Sequence, residues 1–145
     1  MKALPLFLLA LCISASSQTT FTNGPSACNY SPLAHSYYCP SAQTFDAGGN
    51  FSGYIGMWFV LNANNTFSGG QVNISDTSGH LVLAASDFTG TFTGTKTGTL
   101  LSGVVNGTFN LGAGSLTENL YIGRHCAGRY GCVSATAESS GSGSY

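Results

Sequence analysis

The chain has 145 residues, of which four are Lys or Arg, five are Asp or Glu and 20 are Gly, so charged side chains make up only 6% of it. This scarcity excludes a nucleic-acid binder, which sets many cations against phosphates, a calcium module, which clusters carboxylates, and disorder of the highly charged kind. The remaining expectation is a small exported β protein whose solubility rests on neutral hydrogen-bonding side chains.

Residues 1–17 have the pattern of a secretory signal peptide. Lys2 supplies the positive start, Leu4 to Ile13 are apolar apart from Cys12, and small residues follow from Ser14. The apolar run is about half of the ~20 residues that a membrane-spanning helix needs, so no transmembrane segment is expected. We predict a secreted protein, or a periplasmic one if its source is bacterial.

Cysteine usage agrees with export. Lipid attachment at Cys12 is disfavoured, because the large Leu11 stands where a lipid-attachment box needs a small residue. Removal of the signal peptide leaves four cysteines: Cys28, Cys39, Cys126 and Cys132. An even number in an exported chain predicts two disulfides, with three possible connectivities. Local pairing, Cys28 with Cys39 and Cys126 with Cys132, is favoured because each bond then closes a short loop.

A single domain is expected over residues 18–133, and the small, polar residues 134–145 are predicted to be a flexible tail. Without the signal peptide the chain carries three cations against five anions, a net charge of minus two. Long-range attraction of a charged partner is therefore expected to be weak.

The segment between the two cysteine pairs alternates apolar and polar residues, as a β-sheet does, and shows no helical period. From Asn50 to Asn62, one face carries an apolar series that begins at Phe51, and the other face carries Tyr54 and Trp58. This pattern predicts a central strand with the Phe51 face in the core. Further strands are predicted at Gln71–Ser75, His80–Ala85, Phe88–Lys96, Gly98–Val105, Thr108–Leu111 and Leu116–Ile122.

Turn residues separate these strands, among them Asp76-Thr77-Ser78-Gly79 and Asn106-Gly107. Short fragments repeat at intervals of 21 or 22 residues, each long enough for one hairpin, around four phenylalanines: Phe45, Phe67, Phe88 and Phe109. We therefore predict an all-β domain, an antiparallel β-sandwich or barrel-like meander stapled by disulfides. A short β-solenoid is the alternative, because solenoid coils have repeats of similar length.

No catalytic signature is found. The sequence lacks a Gly-x-Ser-x-Gly elbow, a His-Glu-x-x-His pair and a phosphate-binding glycine-rich loop. Neither cysteine pair has the two-residue spacing of a zinc knuckle, so no metal and no cofactor are expected. His80 with Asp76 or Asp87 and a nearby serine could assemble a small hydrolase. Turn and strand-start roles for these residues are the simpler interpretation, so catalysis is disfavoured.

Tyr54 and Trp58 indicate the first candidate binding surface. They flank Gly56 on one face of the predicted strand, about 13 Å apart at ~3.3 Å per residue. Sugar-binding sheets use such platforms, because the apolar face of a pyranose stacks on a ring while its hydroxyls find amide and hydroxyl partners. Burial of both rings between two layers is the alternative interpretation.

Threonines in strict alternation form the second candidate surface: Thr89, Thr91, Thr93, Thr95, Thr97 and Thr99. On a continuous strand they would make one row of hydroxyl and methyl groups about 6.6 Å apart. This row resembles the threonine rows of ice-binding proteins, without the stacked ranks of that family. Ordinary β propensity is the alternative, and a turn near Lys96 would break the row.

The segment from Tyr121 to Tyr130 is the third candidate. Arg124 and Arg129 are two of the three cations left after export, and they lie with His125 beside a predicted disulfide. Arginine forks and backbone donors suit a carboxylate or sulfate. A solvated loop is the alternative.

Together these patterns predict a non-catalytic exported module that acts by binding or as a structural surface component. Carbohydrate binding through the aromatic platform is the favoured activity. Ice or solid-surface binding through the threonine row and a small secreted hydrolase are the alternatives. The expected partners are polysaccharide, extracellular matrix or a second copy of the chain, and not nucleic acid.

Overall fold

The computed structural model describes residues 18–31, 33–97, 100–126 and 132–145, with the backbone alone described for 123–126 and 132–138. In these ranges the regular structure is β-strand throughout. No helix of sufficient length and apolarity to cross a membrane occurs in the described part of the chain.

Eight antiparallel strands form a closed barrel in which each strand pairs with the next and β8 pairs with β1. In chain order they are β1 Thr20–Ser31, β2 Ser36–Phe45, β3 Phe51–Val60, β4 Thr66–Ser75, β5 Leu81–Thr97, β6 Leu100–Phe109, β7 Gly114–Cys126 and β8 Cys132–Ser144. The predicted all-β barrel-like meander is confirmed, and the solenoid alternative is wrong. We call the end at which β1, β3, β5 and β7 finish the mouth end, and the opposite end the base end.

Apolar side chains fill the barrel because alternate residues of each strand face inward. An aromatic series dominates the interior, with successive ring centroids 4.9 Å apart for Tyr37 and Phe59, 4.6 Å for Phe59 and Phe67, and 4.8 Å for Phe67 and Phe88. Phe109 continues it at 6.3 Å from Phe88. Three of the four phenylalanines of the sequence repeat are therefore core residues on successive strands.

One core prediction on β3 is wrong. Phe51 was expected inside, yet it is 40% exposed. The register shifts where Thr44 pairs with Gly53 and Phe45 pairs with Phe51, so Ser52 is an extra residue that reverses the alternation. Gly53 has φ +143°, and a Cβ there would lie 2.1 Å from a backbone oxygen of β4, so the irregularity requires glycine.

The predicted turn at Asn106-Gly107 is also wrong, because both residues lie inside β6. A Cβ on Gly107 would lie 2.4 Å from the Phe88 ring, so this glycine makes room for an aromatic side chain.

The strand β5 is one strand of 17 residues, whereas the sequence predicts two strands in this range. The carboxylate of Asp87 accepts backbone N–H groups of Asn110 and Leu111 at 2.8 and 2.6 Å, which ties β5 to the turn after β6.

The predicted flexible tail, residues 134–145, instead lies within β8 and its end. This strand pairs with β7 on one side and with β1 on the other, and so closes the barrel. Cβ atoms on Gly141 and Gly143 would lie 2.9 Å from Glu118 Cδ and 2.6 Å from Phe21 Cζ. The small residues of β8 therefore leave the volume that larger side chains of β1 and β7 occupy.

The backbone pairing between β1 and β2 is interrupted between Asn23 and Asn29. Pro25 and Pro40 lie in this region, and proline has no N–H to donate. The register also shifts in the neighbouring pairings: between Asn23 and Ser26 where β1 pairs with β8, and between Cys39 and Ala42 where β2 pairs with β3. The predicted Cys28–Cys39 disulfide is confirmed, with a Cα–Cα distance of 4.3 Å. It joins the two strands covalently where the hydrogen-bond ladder is interrupted.

Candidate functional site

Tyr54 and Trp58 lie on the outer surface of the barrel. Inward residues of β3 such as Ile55 and Phe59 are buried, whereas Tyr54 and Trp58 are partly exposed on the opposite face. A single closed barrel has no second sheet to cover them. The structure thus presents both rings to the outside, as the platform interpretation requires.

The register between β2 and β3 adds a third ring. Tyr38 is 50% exposed and pairs directly with Trp58. We call the outer surface of Tyr38, Tyr54, Trp58 and Phe51 the aromatic face. The Phe51 ring meets the Tyr54 ring edge to face with centroids 5.2 Å apart, which limits the movement of Tyr54.

Sequence reasoning missed Tyr38. Its outward direction could have been found from the buried neighbours Tyr37 and Cys39, which face inward on either side of it. Its position beside Trp58 depends on the pairing of β2 with β3, and alternation within one strand carries no information about that register.

Amide side chains border the aromatic face. Across the strands one row reads Asn29, Tyr38, Trp58 and Gln71, and a second row reads Gln43, Tyr54 and Ser75. None of these described neighbours in register is charged. The surface therefore combines flat apolar rings with neutral donors and acceptors.

A backbone carbonyl of β2 lies close to Gly56 of β3. Gly56 separates Tyr54 from Trp58, and a Cβ on it would lie 2.7 Å from the Pro40 carbonyl oxygen of the β2 bulge. Glycine is thus needed for the bulge to approach β3 so closely. The β2 bulge therefore packs closely on β3 at the residue between Tyr54 and Trp58.

The threonine row is continuous over most of its length. Five of the six threonines, from Thr89 to Thr97, lie on β5 with exposed side chains, and Thr99 lies outside the described residues. Two of the hydroxyls form hydrogen bonds within the barrel: Thr89 donates to the Phe67 carbonyl at 2.9 Å, and Thr95 donates to the Ser102 carbonyl at 3.4 Å. The neighbouring strand β6 sets Asn, Val, Ser and Leu as well as one Thr opposite the row.

The third candidate falls mostly outside the described residues. Arg129 lies in an undescribed range, and for Arg124 and His125 only the backbone is described, within the last residues of β7 at the mouth end. Cys126 and Cys132 are opposite each other in the β7–β8 register. Their side chains lie outside the described set, so the second disulfide stays a prediction.

The structure brings together only two residues of the candidate hydrolase site, His80 and Asp76. His80 Nδ1 lies 3.5 Å from Asp76 Oδ2, and both side chains are open to solvent in the turn between β4 and β5. The same carboxylate accepts the backbone N–H groups of Ser78 and His80 at 2.9 Å, which lowers the pKa of Asp76. Asp87 is engaged at another turn, as described above. These contacts are those of a turn, which is the simpler interpretation.

Sequence reasoning also missed a buried polar cluster, formed by Asn23, Glu118 and Ser139. The Asn23 amide donates to Glu118 Oε2 at 3.2 Å, and Glu118 has no solvent exposure. Desolvation raises the pKa of Glu118 to about 7, although hydrogen bonds from Asn23 and Ser139 partly oppose this. The alternation along β7 was the available signal, because it places Glu118 on the same inward face as Leu116, Leu120 and Ile122.

The polar cluster packs against the disulfide. The Ser139 hydroxyl lies 3.4 Å from Cys28 Sγ and 3.7 Å from Cys39 Sγ. A perturbed carboxyl pKa is frequent in active sites, but here the carboxyl is enclosed by the barrel wall. We therefore treat the cluster as part of the barrel interior, where its protonation affects the stability of the fold, and give it no catalytic role.

In the described ranges, no group of three His, Cys, Asp or Glu side chains lies close enough together to hold a metal ion. Comparisons with protein-family models, with curated proteins and with solved structures found no match for this chain. The candidate functions of this chain are therefore inferred from its own residues.

Proposed function

We propose that this protein is an exported, non-catalytic module that binds neutral polysaccharide through the aromatic face. The observation that carries the proposal is the register that sets Tyr38 beside Trp58, with Tyr54 on the same outer surface and amides on both sides. A predicted signal peptide and a disulfide, which persists in oxidising compartments, support export.

The chemistry of the aromatic face favours a sugar chain as the ligand. A pyranose ring has apolar C–H faces that stack on aromatic rings and an equator of hydroxyls that need hydrogen-bond partners. Gln43, Asn73 and Gln71 provide such partners with exposed amides. A surface without charged neighbours has no means of attracting an acidic polysaccharide over a neutral one.

The spacing of the rings sets the length of the ligand. Tyr54 and Trp58 are four residues apart on one strand, which corresponds to about 13 Å. A single sugar cannot contact both rings, whereas an oligosaccharide of several units can. We expect affinity to rise sharply once the chain is long enough to span them.

Replacing Trp58 with alanine should weaken binding to a neutral β-linked glucan by about tenfold or more, because an aromatic anchor near the centre of a binding surface carries much of its energy. Isothermal titration with cello-oligosaccharides of increasing length, together with depletion from insoluble cellulose and chitin, measures this. Tyr54→Ala should remove the dependence on chain length.

The matched control is Tyr121→Ala on β7. This ring is 52% exposed on the outer wall, far from β3 in strand order, so its loss removes a similar surface without touching the aromatic face. Equal weakening by Tyr121→Ala and Trp58→Ala, or no binding of any neutral glycan by the unaltered protein, would refute the proposal.

A second candidate function, attachment to ice or another ordered solid, is favoured by one observation. The threonines from Thr89 to Thr97 lie on one unbroken strand with exposed side chains. If they bind ice, the purified protein should show thermal hysteresis, and Thr91→Tyr with Thr93→Tyr should abolish it by lifting the row off the surface. Absence of hysteresis in the unaltered protein excludes this candidate.

A further inference from the structure

The mouth end of the barrel contains a cavity of about 220 Å³ that is distinct from the aromatic face. Its lining includes Tyr30, His35, Tyr37, Leu61, Lys96 and Leu101. A cavity of ~150 Å³ is enough to hold benzene in a protein interior. This one therefore has room for a single aromatic ring with a substituent.

The cavity is preformed. The Leu61 N–H donates to the His35 carbonyl at 3.0 Å, which joins the two loops at its rim, and the Phe92 N–H donates to the Asn65 carbonyl at 2.8 Å. The Tyr30 and Tyr37 rings pack with centroids 4.9 Å apart, and Tyr37 stacks on Phe59 below. A ligand would thus enter a rigid site at little conformational cost.

One residue of the cavity lining, Tyr37, has an unsatisfied donor beneath the cavity surface. The Tyr37 side chain has no solvent exposure, and its hydroxyl has no hydrogen-bond partner among the described residues. Buried hydroxyl groups are nearly always paired. Burial also raises the pKa of Tyr37, so the group is a neutral O–H donor that suits a ligand acceptor.

Positive charge lies at the same end. Lys96 lines the cavity and pairs in register with Leu101, whose side chain points inward. Its ammonium group lies 5.9 Å from the centroid of the Phe92 ring. The backbone positions of Arg124 and His125 also lie at the mouth end, on β7. No carboxylate is among the cavity-lining residues.

We infer that the mouth cavity is a binding site for a small aromatic carboxylate. The ring of the ligand would pack between the tyrosine rings and the side chains of Leu61 and Leu101. Its negative charge would lie towards Lys96, and a small rotation of the Tyr37 side chain would bring the unpaired hydroxyl to an acceptor atom of the ligand. This site is independent of the aromatic face and does not require the proposed polysaccharide.

The test uses benzoate, 4-hydroxybenzoate and phenylacetate, each against its neutral amide, with isothermal titration and backbone NMR shifts as readouts. We expect each carboxylate to bind about tenfold or more tightly than its amide. Shifts should cluster at residues 35–37, 61–63 and 100–101. No binding by either series, equal binding of acids and amides, or shifts on the outer wall would overturn the inference.

Two conservative variants assign the contacts. Tyr37→Phe should weaken both series by about tenfold, since only the donor is lost, whereas the matched change Tyr121→Phe on the outer wall should have no effect. Lys96→Met should remove the preference for the acid, and Lys96→Arg should retain it. Unchanged binding in both Tyr37→Phe and Lys96→Met would also overturn the inference.

Discussion

Replacing Glu118 with glutamine should make the barrel about 3 kcal/mol more stable above pH 7 and leave its stability near pH 4 almost unchanged. The folded state raises the pKa of this carboxyl from 4.5 to about 7, and each unit corresponds to ~1.4 kcal/mol. Below 4.5 the group is protonated in both states. As the pH rises to about 7, the unfolded chain loses the proton first, so the unaltered barrel loses stability.

Glutamine keeps the size and the acceptor of the protonated acid, and it cannot ionise. Its amide also offers donors to Asn23 Oδ1, which has no partner in the described structure. Guanidinium unfolding of both proteins between about pH 4 and about pH 8 gives the two free-energy curves. They should coincide at low pH and diverge towards high pH.

Asp76→Asn is the control with the opposite sign. Backbone hydrogen bonds lower the pKa of Asp76, so this carboxylate stabilises the fold above its unfolded pKa and that stability is lost on acidification. Its removal should flatten only the acid arm of the curve. If the unaltered protein gains stability from about pH 5 to pH 8, the burial argument for Glu118 fails.

Removing the Cys28–Cys39 disulfide should lower the free energy of unfolding by about 3 kcal/mol. The bond closes a loop with a sequence separation of 11, and cross-links of this length remove about that much entropy from the unfolded chain. The ladder between β1 and β2 is interrupted between Asn23 and Asn29, and the disulfide joins the two strands at the edge of this gap. Guanidinium unfolding of the Cys28→Ala, Cys39→Ala double variant measures the loss.

The unaltered protein with this bond reduced is the matched control, because the two thiols retain the buried volume. If loop closure is the cause, the reduced protein and the double variant should lose similar stability. A loss in the variant alone would assign the effect to the cavity left by the two sulfur atoms. A loss below about 1 kcal/mol in both would contradict the role given to the disulfide.

The sequence allowed the all-β meander to be predicted because each strand buries one face only, and alternation reveals this directly. The same alternation on β7 places Glu118 on the inward face between Leu116 and Leu120, although carboxylates rarely lie inside a core. The turn at Asn106-Gly107 was wrongly predicted because glycine serves two purposes, positive φ in turns and space for a neighbouring ring. Local sequence does not distinguish these purposes.

Other features depend on pairing between strands and were beyond a single sequence. Tyr38 joins Trp58 only through the β2–β3 register, and the mouth cavity gathers residues from five separate segments. Residues 134–145 have little apolar surface of their own, so their composition predicts disorder. They form β8 because strands on both sides supply hydrogen bonds and large side chains fill the space beneath them.

The closure of the barrel by β8 has a consequence for how the chain folds. Seven of the eight strand pairs join consecutive strands, so successive hairpins can form from contacts that are near in sequence. The eighth pair, β1 with β8, joins Thr20 to Ser144. The entropy cost of closing the barrel therefore falls on this pair. Until that step two sheet edges stay open to pairing with another molecule, which makes the low-charge intermediate, and not the finished barrel, the aggregation-prone species.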